Sequence, residues 1–488
     1  MMPRLRLHSL VMLSALLPAC TLLGPDYKRP DVEVPPQYSV PGVPQGQAEA
    51  QVPSTWWELY HDPVLNDLVT QALKNNTDLK LAAARIEEAN AFMREVGAAL
   101  FPEVDLDASA TRSRITERGA FSDVGGLSPI RNDFIVQLGT SFEIDFWGKL
   151  RRAKESARAQ TLSTYYARDT VRLSLSSVVV GDYLLLRSLE AQIAVSRDSL
   201  HSRQESLALT KRRLEGGIAS ALDVQQAEVA YSNLVAQIAD LVRQRANVEH
   251  QLAVLTGELG LKVPEGNIKD LPVPPVPPVG LPSRLLEARP DVREAEQNLI
   301  ANNANIGVAK AALFPTISLT GIYGHESLEL SDLATYPARI WTLGLGLTLP
   351  IFDAGRLSSR VDQATAQQKQ ALASYEGSVQ TAFREVNDAL VDVRQNSERE
   401  AALKNSQEAA AKAMQIAENR YKAGYSGFLD VLDSQRVYNE AALAFIQSRQ
   451  ARLVATVDLF KALGGGWKPE FSAAATTETG DTKTAVSK

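Results

Sequence analysis

Arg420-Tyr-Lys-Ala-Gly-Tyr-Ser-Gly-Phe-Leu-Asp-Val431 matches Arg213-Leu-Glu-Gly-Gly-Ile-Ala-Ser-Ala-Leu-Asp-Val224 at an offset of 207 residues. Gly217 pairs with Gly424, and Asp223 with Asp430. Glycines between two helical patterns mark a tight reversal. Before each reversal runs a 66-residue stretch without proline, Lys149–Leu214 and Arg356–Tyr421. The second is rich in Ala, Gln, Glu, Lys and Arg, which favour or tolerate helix. Within it Leu372, Tyr375, Val379, Ala382, Val386, Leu390 and Val393 recur at heptad-like spacing, the narrow seam of a coiled coil. At a rise of 1.5 Å per residue such a helix is about 100 Å long. Each copy therefore reads as a very long helical hairpin.

The duplication extends outward. Asp291 to Phe314-Pro315 matches Asp78 to Phe101-Pro102 at an offset of 213. Helical patterning begins near Trp56-Trp57 and continues from Asp62-Pro63, with Thr77-Asp78 expected to cap the next helix. After each Phe-Pro the period changes to two. Val104, Leu106, Ala108 and Ala110 alternate with Asp105, Asp107, Ser109 and Thr111. Phe134, Val136, Leu138, Phe142 and Ile144 alternate with Gln137, Gly139, Ser141, Glu143 and Asp145. In the second copy, strands are expected at Thr316–Tyr323 and Trp341–Leu349, with Trp341, Leu343, Leu345, Leu347 and Leu349 on one face. These strands have one apolar and one polar side. The offset falls from 213 to 207 across the hairpin, so the second hairpin loop is six residues shorter. Residues 264–290 carry eight prolines and read as a semi-rigid linker between the halves.

Composition narrows the class. The chain has 488 residues, is 45% hydrophobic and carries a net charge of −6, which points away from nucleic acid and anionic lipid as partners. No stretch after residue 20 approaches the length of a spanning helix. The five histidines, at 8, 61, 201, 250 and 325, show no metal-ligand spacing, and no nucleophile motif or phosphate loop is present. No cofactor and no enzymatic activity are expected. Arg4 and Arg6 precede an apolar Leu10–Leu17 stretch and Leu17-Pro-Ala-Cys20, a leader resembling a bacterial lipobox. Cys20, the only cysteine, is the expected lipidation site.

Four amphipathic strands per chain cannot close a barrel, and their outer edges would stay unpaired. In lipid every strand edge must be paired. Other copies of the chain are therefore needed to complete the sheet. Several stretches now point to one family: the lipobox before Cys20, Trp56-Trp57-Glu-Leu-Tyr60 with Asp62-Pro63, Phe101-Pro102, Leu281-Pro-Ser-Arg-Leu-Leu-Glu-Ala-Arg-Pro-Asp291, Phe314-Pro315, Pro350-Ile-Phe-Asp-Ala-Gly355 and Leu429-Asp-Val-Leu-Asp433. The sequence resembles TolC-like outer-membrane efflux channels, the lipoprotein type that serves resistance-nodulation-division (RND) pumps. The resemblance implies an α+β membrane protein. It forms a trimeric outer-membrane β-barrel of twelve strands, continued by a long periplasmic α-helical barrel. It also implies docking to a periplasmic membrane-fusion adaptor and an inner-membrane RND transporter. Two other readings compete with this one. A periplasmic coiled-coil adaptor would lack the alternating strands. The outlet of a type I protein secretion system shares the channel architecture. The expected organisation is a signal peptide at 1–19, a lead segment with an equatorial region at 20–76, and a first repeat at 77–263 with its hairpin at 102–147. The linker at 264–290, a second repeat at 291–467 with its hairpin at 315–351, and a disordered tail at 468–488 follow.

The turns at Leu214–Ser220 and Tyr421–Gly427 are the expected periplasmic gate. Asp223 and Asp430 have two readings: first-turn caps that favour the helix dipole, or rings of carboxylates at the narrowest point. Asp433 has Gln226 as its repeat mate, so the second copy carries an extra carboxylate one turn after Asp430. An i, i+3 pair shares a helix face. In a trimer it would stack two acidic rings that repel one another and attract cations. The resemblance adds a link from Tyr421 to Asp223, an apolar constriction at Leu429, and a departure: Ser426 stands where the best-known family member has a locking arginine. Charges such as Glu385 and Arg394 are expected on solvated faces. Phe101, Phe134, Phe146, Trp147, Phe314 and Trp341 flank the strands as candidate interfacial aromatics.

Overall fold

The computed structural model describes residues 22–38, 52–116, 129–277 and 285–468. In chain order they form helices α1 (Pro63–Asn75) and α2 (Thr77–Ala98), and strands β1 (Glu103–Arg114) and β2 (Ile130–Ile144). Helices α3 (Lys149–Glu215), α4 (Ala221–Thr256), α5 (Leu285–Ala288) and α6 (Pro290–Ala311) follow. Strands β3 (Thr316–Ser327) and β4 (Arg339–Thr348) and helices α7 (Arg356–Lys422) and α8 (Phe428–Ala462) complete the chain. Each proline-free run is one unbroken helix of 67 residues. Cys20 and residues 469–488 lie outside the described residues, so the lipidation site and nearly all of the expected tail are not seen. Two compact units divide the chain: one from within 1–31, 85–165 and 294–375, the other from within 32–84, 166–293 and 376–488.

The first unit holds an antiparallel sheet of order β1-β2-β3-β4. Leu106 faces Leu138, Leu138 faces Tyr323 and Tyr323 faces Trp341, so cross-strand partners put the apolar residues on one side. The other side carries Asp105, Asp107, Gln137, Glu143, Ser318, Thr320, Thr342 and Thr348. The apolar side meets no other described part of the chain: Leu106 is 68% exposed and Leu345 72%. That reverses the pattern of a water-soluble sheet and suits hydrocarbon outside and water inside. On the polar side, a Cβ at Gly344 would come within 2.9 Å of Thr320 Oγ1, and one at Gly346 within 2.9 Å of Ser318 Oγ. β3 runs four residues beyond the expected Tyr323. Its end breaks the alternation because polar His325 and Ser327 share the face of Tyr323 near the rim.

At the sheet's helical end, Trp147 Nε1 donates to Pro315 O at 2.8 Å, and its ring lies 4.8 Å from those of Phe146 and Phe314. These three aromatics pack on one another. Phe101 and Trp341 stay 71% and 73% exposed. Asp145 caps α3 by accepting from Leu150 N and Arg151 N, both at 3.0 Å. The lead segment is pinned to this unit. Arg29 forms a bidentate pair with Glu296 (2.7 and 2.9 Å), and buried Arg152 holds Asp26 at 2.6 Å.

The second unit is built around an aromatic core. Trp56 stacks on Phe460 at 5.5 Å, and Tyr60 donates to Leu453 O at 3.0 Å. Leu65, Val69, Tyr183, Leu184, Leu252 and Ile268 are fully buried. Burying each such side chain contributes about 1.5–3 kcal/mol. Asp62 caps α1 through Val64 N at 2.9 Å and accepts a hydrogen bond from Tyr183 Oη. The cap of α2 is Asn76, not Thr77. Its Oδ1 accepts from Asp78 N at 2.8 Å, while its Nδ2 donates to Leu255 O.

The start of the proline-rich stretch is packed rather than free. Val263, Ile268 and Leu271 are buried. Arg187 donates to Pro264 O at 2.6 Å, and Glu190 accepts from Gly266 N at 3.2 Å. Arg449 donates to Leu271 O at 2.6 Å. Behind these bonds lie two ion clusters. Glu190 pairs with Arg187 and Arg245, and Glu400 pairs with Arg449 and Arg452. Arg245 and Arg452 are repeat mates at the 207 offset. Glu385 is also not simply solvated: it pairs with Arg289, itself 8% exposed, at 2.8 Å. Arg394 pairs with Glu398 along its own exposed face, as expected of a surface charge.

Candidate channel gate at the hairpin turns

Both reversals use the same backbone device. Gly217 (φ 74°) and Gly424 (φ 79°) adopt the left-handed conformation just past α3 and α7. Ile218 N reaches back to Arg213 O at 2.8 Å, and Tyr425 N to Arg420 O at 2.9 Å. A Cβ at either glycine would meet nothing within 4 Å, so dihedral strain alone selects glycine.

The two copies then diverge. Ser220 Oγ accepts from Asp223 N at 3.2 Å, and Asp223 Oδ2 accepts from Ser220 N at 3.0 Å, a complete capping box. In the second copy the capping position is Gly427 and no side chain caps α8. Asp223 is thus committed to its helix, while Asp430 is exposed and no described side chain pairs with it. Asp433 is exposed but not alone. Arg436 binds it at 2.7 Å and Glu440 at 3.1 Å. One exposed arginine is thus shared between two carboxylates along the same helix. The first copy places Gln226, Val229 and Asn233 at the matching positions.

The link expected between Tyr421 and Asp223 is absent. Tyr421 is buried with Leu207, Val224, Ala227, Phe428 and Val431, and its hydroxyl lies 3.5 Å from Thr210 Oγ1. The joining residue is Arg213. Its Nη2 donates to Tyr421 O at 3.1 Å and Lys422 O at 3.3 Å, and its Cζ stands 4.2 Å from the Tyr421 ring. Ser426 Oγ is buried without a hydrogen-bond partner. The cation that bridges the two turns thus comes from the first hairpin. Nothing in the sequence sets Arg213 apart, because its carbonyl partners lie 208 and 209 residues further along the chain. Leu429 and its mate Leu222 point away from the cluster, 62% and 64% exposed.

Above the turns the hairpins meet along a polar seam. Gln435 donates to Ser206 at 3.1 Å and Glu418 at 2.9 Å. Asn439 donates to Gln237 at 3.4 Å, and Gln447 to Gln192 at 3.1 Å. A hydrogen-bonded polar seam fixes register at a cost in stability.

A sheet with one apolar side, and two helical hairpins that each pair a 67-residue helix with one of 36 or 35 residues and are bonded at their tips, are the parts of a β-barrel membrane channel with a helical extension. The chain belongs to the outer membrane efflux protein family, whose model matches residues 68–258 and 281–465. It is 35% identical over 474 residues to the antibiotic efflux pump outer membrane protein ArpC of Pseudomonas putida, covering 94% of this chain and 96% of that one. The toluene efflux pump outer membrane protein TtgC, also of Pseudomonas putida, is 35% identical over the same lengths. The crystal structure of the open state of the Neisseria gonorrhoeae MtrE outer membrane channel superposes with a TM-score of 0.82 at 30% identity, covering 91% of this chain and 98% of that one. This chain is an outer-membrane efflux channel protein.

Proposed function

We propose that three copies of this chain close one twelve-stranded barrel and one helical tunnel. Drugs or other toxic small molecules then pass outward without chemistry at the channel itself. A periplasmic adaptor and an inner-membrane RND transporter deliver them to the tip. The observation that carries this reading is the four-stranded sheet: it is apolar outside, polar inside, and both β1 and β4 are open edges. The alternative of a protein-secretion outlet loses ground because the relatives are named for antibiotic and toluene pumps. Expression in a Gram-negative strain lacking its own efflux channel, with the matching adaptor and pump, restores resistance to antibiotics or toluene. Secretion of a protein toxin with no change in resistance would overturn the reading.

The lead segment carries an anchor to the membrane. Cys20 is read as the lipidated residue of a mature chain that begins there. Mass spectrometry of the mature N-terminus is expected to find a diacylglyceryl-cysteine, and a chain beginning elsewhere or unmodified contradicts it. One lipid alone anchors weakly, so Cys20→Ala weakens sorting more than it alters the pore.

At the gate, Asp430 forms the acidic ring, Leu429 the apolar constriction, and Tyr421, held by Arg213, closes the tip. Asp223 caps its helix, and Asp433 adds little because Arg436 offsets it. Asp430→Ala is therefore expected to cause most of the loss of cation selectivity in planar bilayers, with Asp433→Ala adding little. Equal contributions from the two would show that the Arg436 pairing does not persist.

A further inference from the structure

Charge is sorted between the two sides of the sheet. The carboxylates of its strands, Glu103, Asp105, Asp107, Asp133, Glu143 and Glu326, all fall on the side away from Leu106, Leu138, Tyr323 and Trp341. The apolar side carries no carboxylate among the described strand residues. The charges it can carry are all positive: Arg112 and Arg114 on β1, His325 on β3 and Arg339 on β4. Arg131 is the one strand arginine on the polar side.

Position along the strands is sorted too. The long helices follow the sheet at the Ile144 and Thr348 ends of β2 and β4. From that end toward the far rim, the apolar side of β4 presents Leu347, Leu345, Leu343, Trp341 and then Arg339. On β3 His325 follows Tyr323, and on β1 Arg112 and Arg114 follow Ala110. Aliphatic, aromatic, cationic is the order of hydrocarbon, interface and headgroup. Arg112, Arg114 and Arg339 are exposed, and His325 is half-buried directly opposite Arg339. Arg339 Cζ stands 4.3 Å from the Tyr336 ring, which braces the guanidinium at the rim without covering it. Arg112 and Arg114 share one face about 7 Å apart along the strand. Like cations that close repel, and an anion shared between them relieves the repulsion.

We propose that this outward rim binds the phosphate groups of lipopolysaccharide, the glycolipid of the outer leaflet. With the helices in the periplasm, the rim lies in that leaflet. Each guanidinium takes a phosphate through two parallel N–H donors. Trp341 and Tyr323, which pair across β3 and β4, sit at the headgroup boundary, and the β4 leucines receive the acyl chains. The net charge of −6 points away from anionic lipid only while both sides of the sheet are summed together. Taken alone, the apolar side is basic at its rim. The surface lies outside the conduit, so it serves membrane seating and not export. It rests on the outer-membrane placement of the chain and not on the number of copies.

The test titrates the full protein in detergent with bisphosphorylated lipid A, and native mass measurement reads the bound lipid. Arg112→Gln with Arg114→Gln and Arg339→Gln is expected to bind at least about tenfold more weakly than wild type, since each arginine near an anionic surface contributes about fivefold. Lysine at the same three positions keeps the charge without the fork, and its binding is expected to fall between the two. Lipid A stripped of its phosphates is expected to bind wild type no better than the glutamine variant does. Phosphatidylglycerol is expected to bind less tightly than lipid A, and inorganic phosphate at the same concentration is expected not to be retained. Should the triple variant fail to fold, Arg112→Gln and Arg339→Gln singly are each expected to weaken lipid A binding about fivefold. Equal lipid A binding by wild type and the glutamine variants, or equal binding of the stripped lipid by wild type, overturns the phosphate-binding rim. Phosphatidylglycerol bound as tightly as lipid A overturns the glycolipid as its occupant, and retention of inorganic phosphate alone overturns the lipid.

Discussion

Arg213→Ala is expected to raise the resting conductance of the channel in planar bilayers. Arg213 is the side chain that crosses from one hairpin tip to the other, with two carbonyl bonds and one ring contact. Hydrogen bonds to a charged group and a cation–π contact at a half-exposed site together hold the two tips to one another by about 2 kcal/mol. Losing them shifts the closed–open equilibrium about 30-fold toward open. Arg213→Lys keeps the charge but not the fork that reaches two carbonyls, so its effect is intermediate. Arg420→Ala removes the exposed repeat mate and leaves conductance unchanged. Tyr421→Phe, alone or with Asp223→Ala, has a smaller effect than Arg213→Ala, because the ring and its arginine contact survive. Equal conductance for wild type and Arg213→Ala would remove Arg213 from the gate.

The second large effect lies in the sheet. Leu345→Arg puts a guanidinium on the apolar face at mid-strand, beside Leu319. A charge on the lipid side near the bilayer midplane costs about 2–4 kcal/mol per site. Three copies multiply that cost, so almost no assembled channel is expected in the outer membrane. Thr342→Arg, on the polar side of the same strand, is expected to assemble and to lower cation conductance. Equal yields of the two variants would mean that the two faces have been assigned the wrong way round.

The long elements were legible because their signals are local. A 66-residue stretch without proline has few alternatives to helix, and Trp341-to-Leu349 alternation leaves only one face for lipid. Duplication supplied the turns, since Gly217 and Gly424 mark each other. Contacts across long sequence separation were not legible. Glu385 reads as a surface charge until α7 brings it beside Arg289. Nothing in the sequence marks Arg213 until the fold brings the Tyr421 ring beside its guanidinium. The buried start of the linker was hidden by its proline content, which says extended but not unpacked. Asn76 was missed because Thr77-Asp78 is an equally good cap by composition. The Asp433–Arg436 pair was within reach: an i, i+3 spacing on one helix face is visible in the sequence. The Tyr421–Asp223 link came from resemblance alone, and the Ser220 capping box had already claimed that aspartate.

The central claim is that this chain is one third of a closed barrel. Native mass measurement of the full protein in detergent addresses it most directly. Three copies in one particle are the expected result, because an open β1 and β4 cannot remain unpaired in hydrocarbon. A stable single copy, with its apolar sheet face covered by detergent alone, would contradict the architecture.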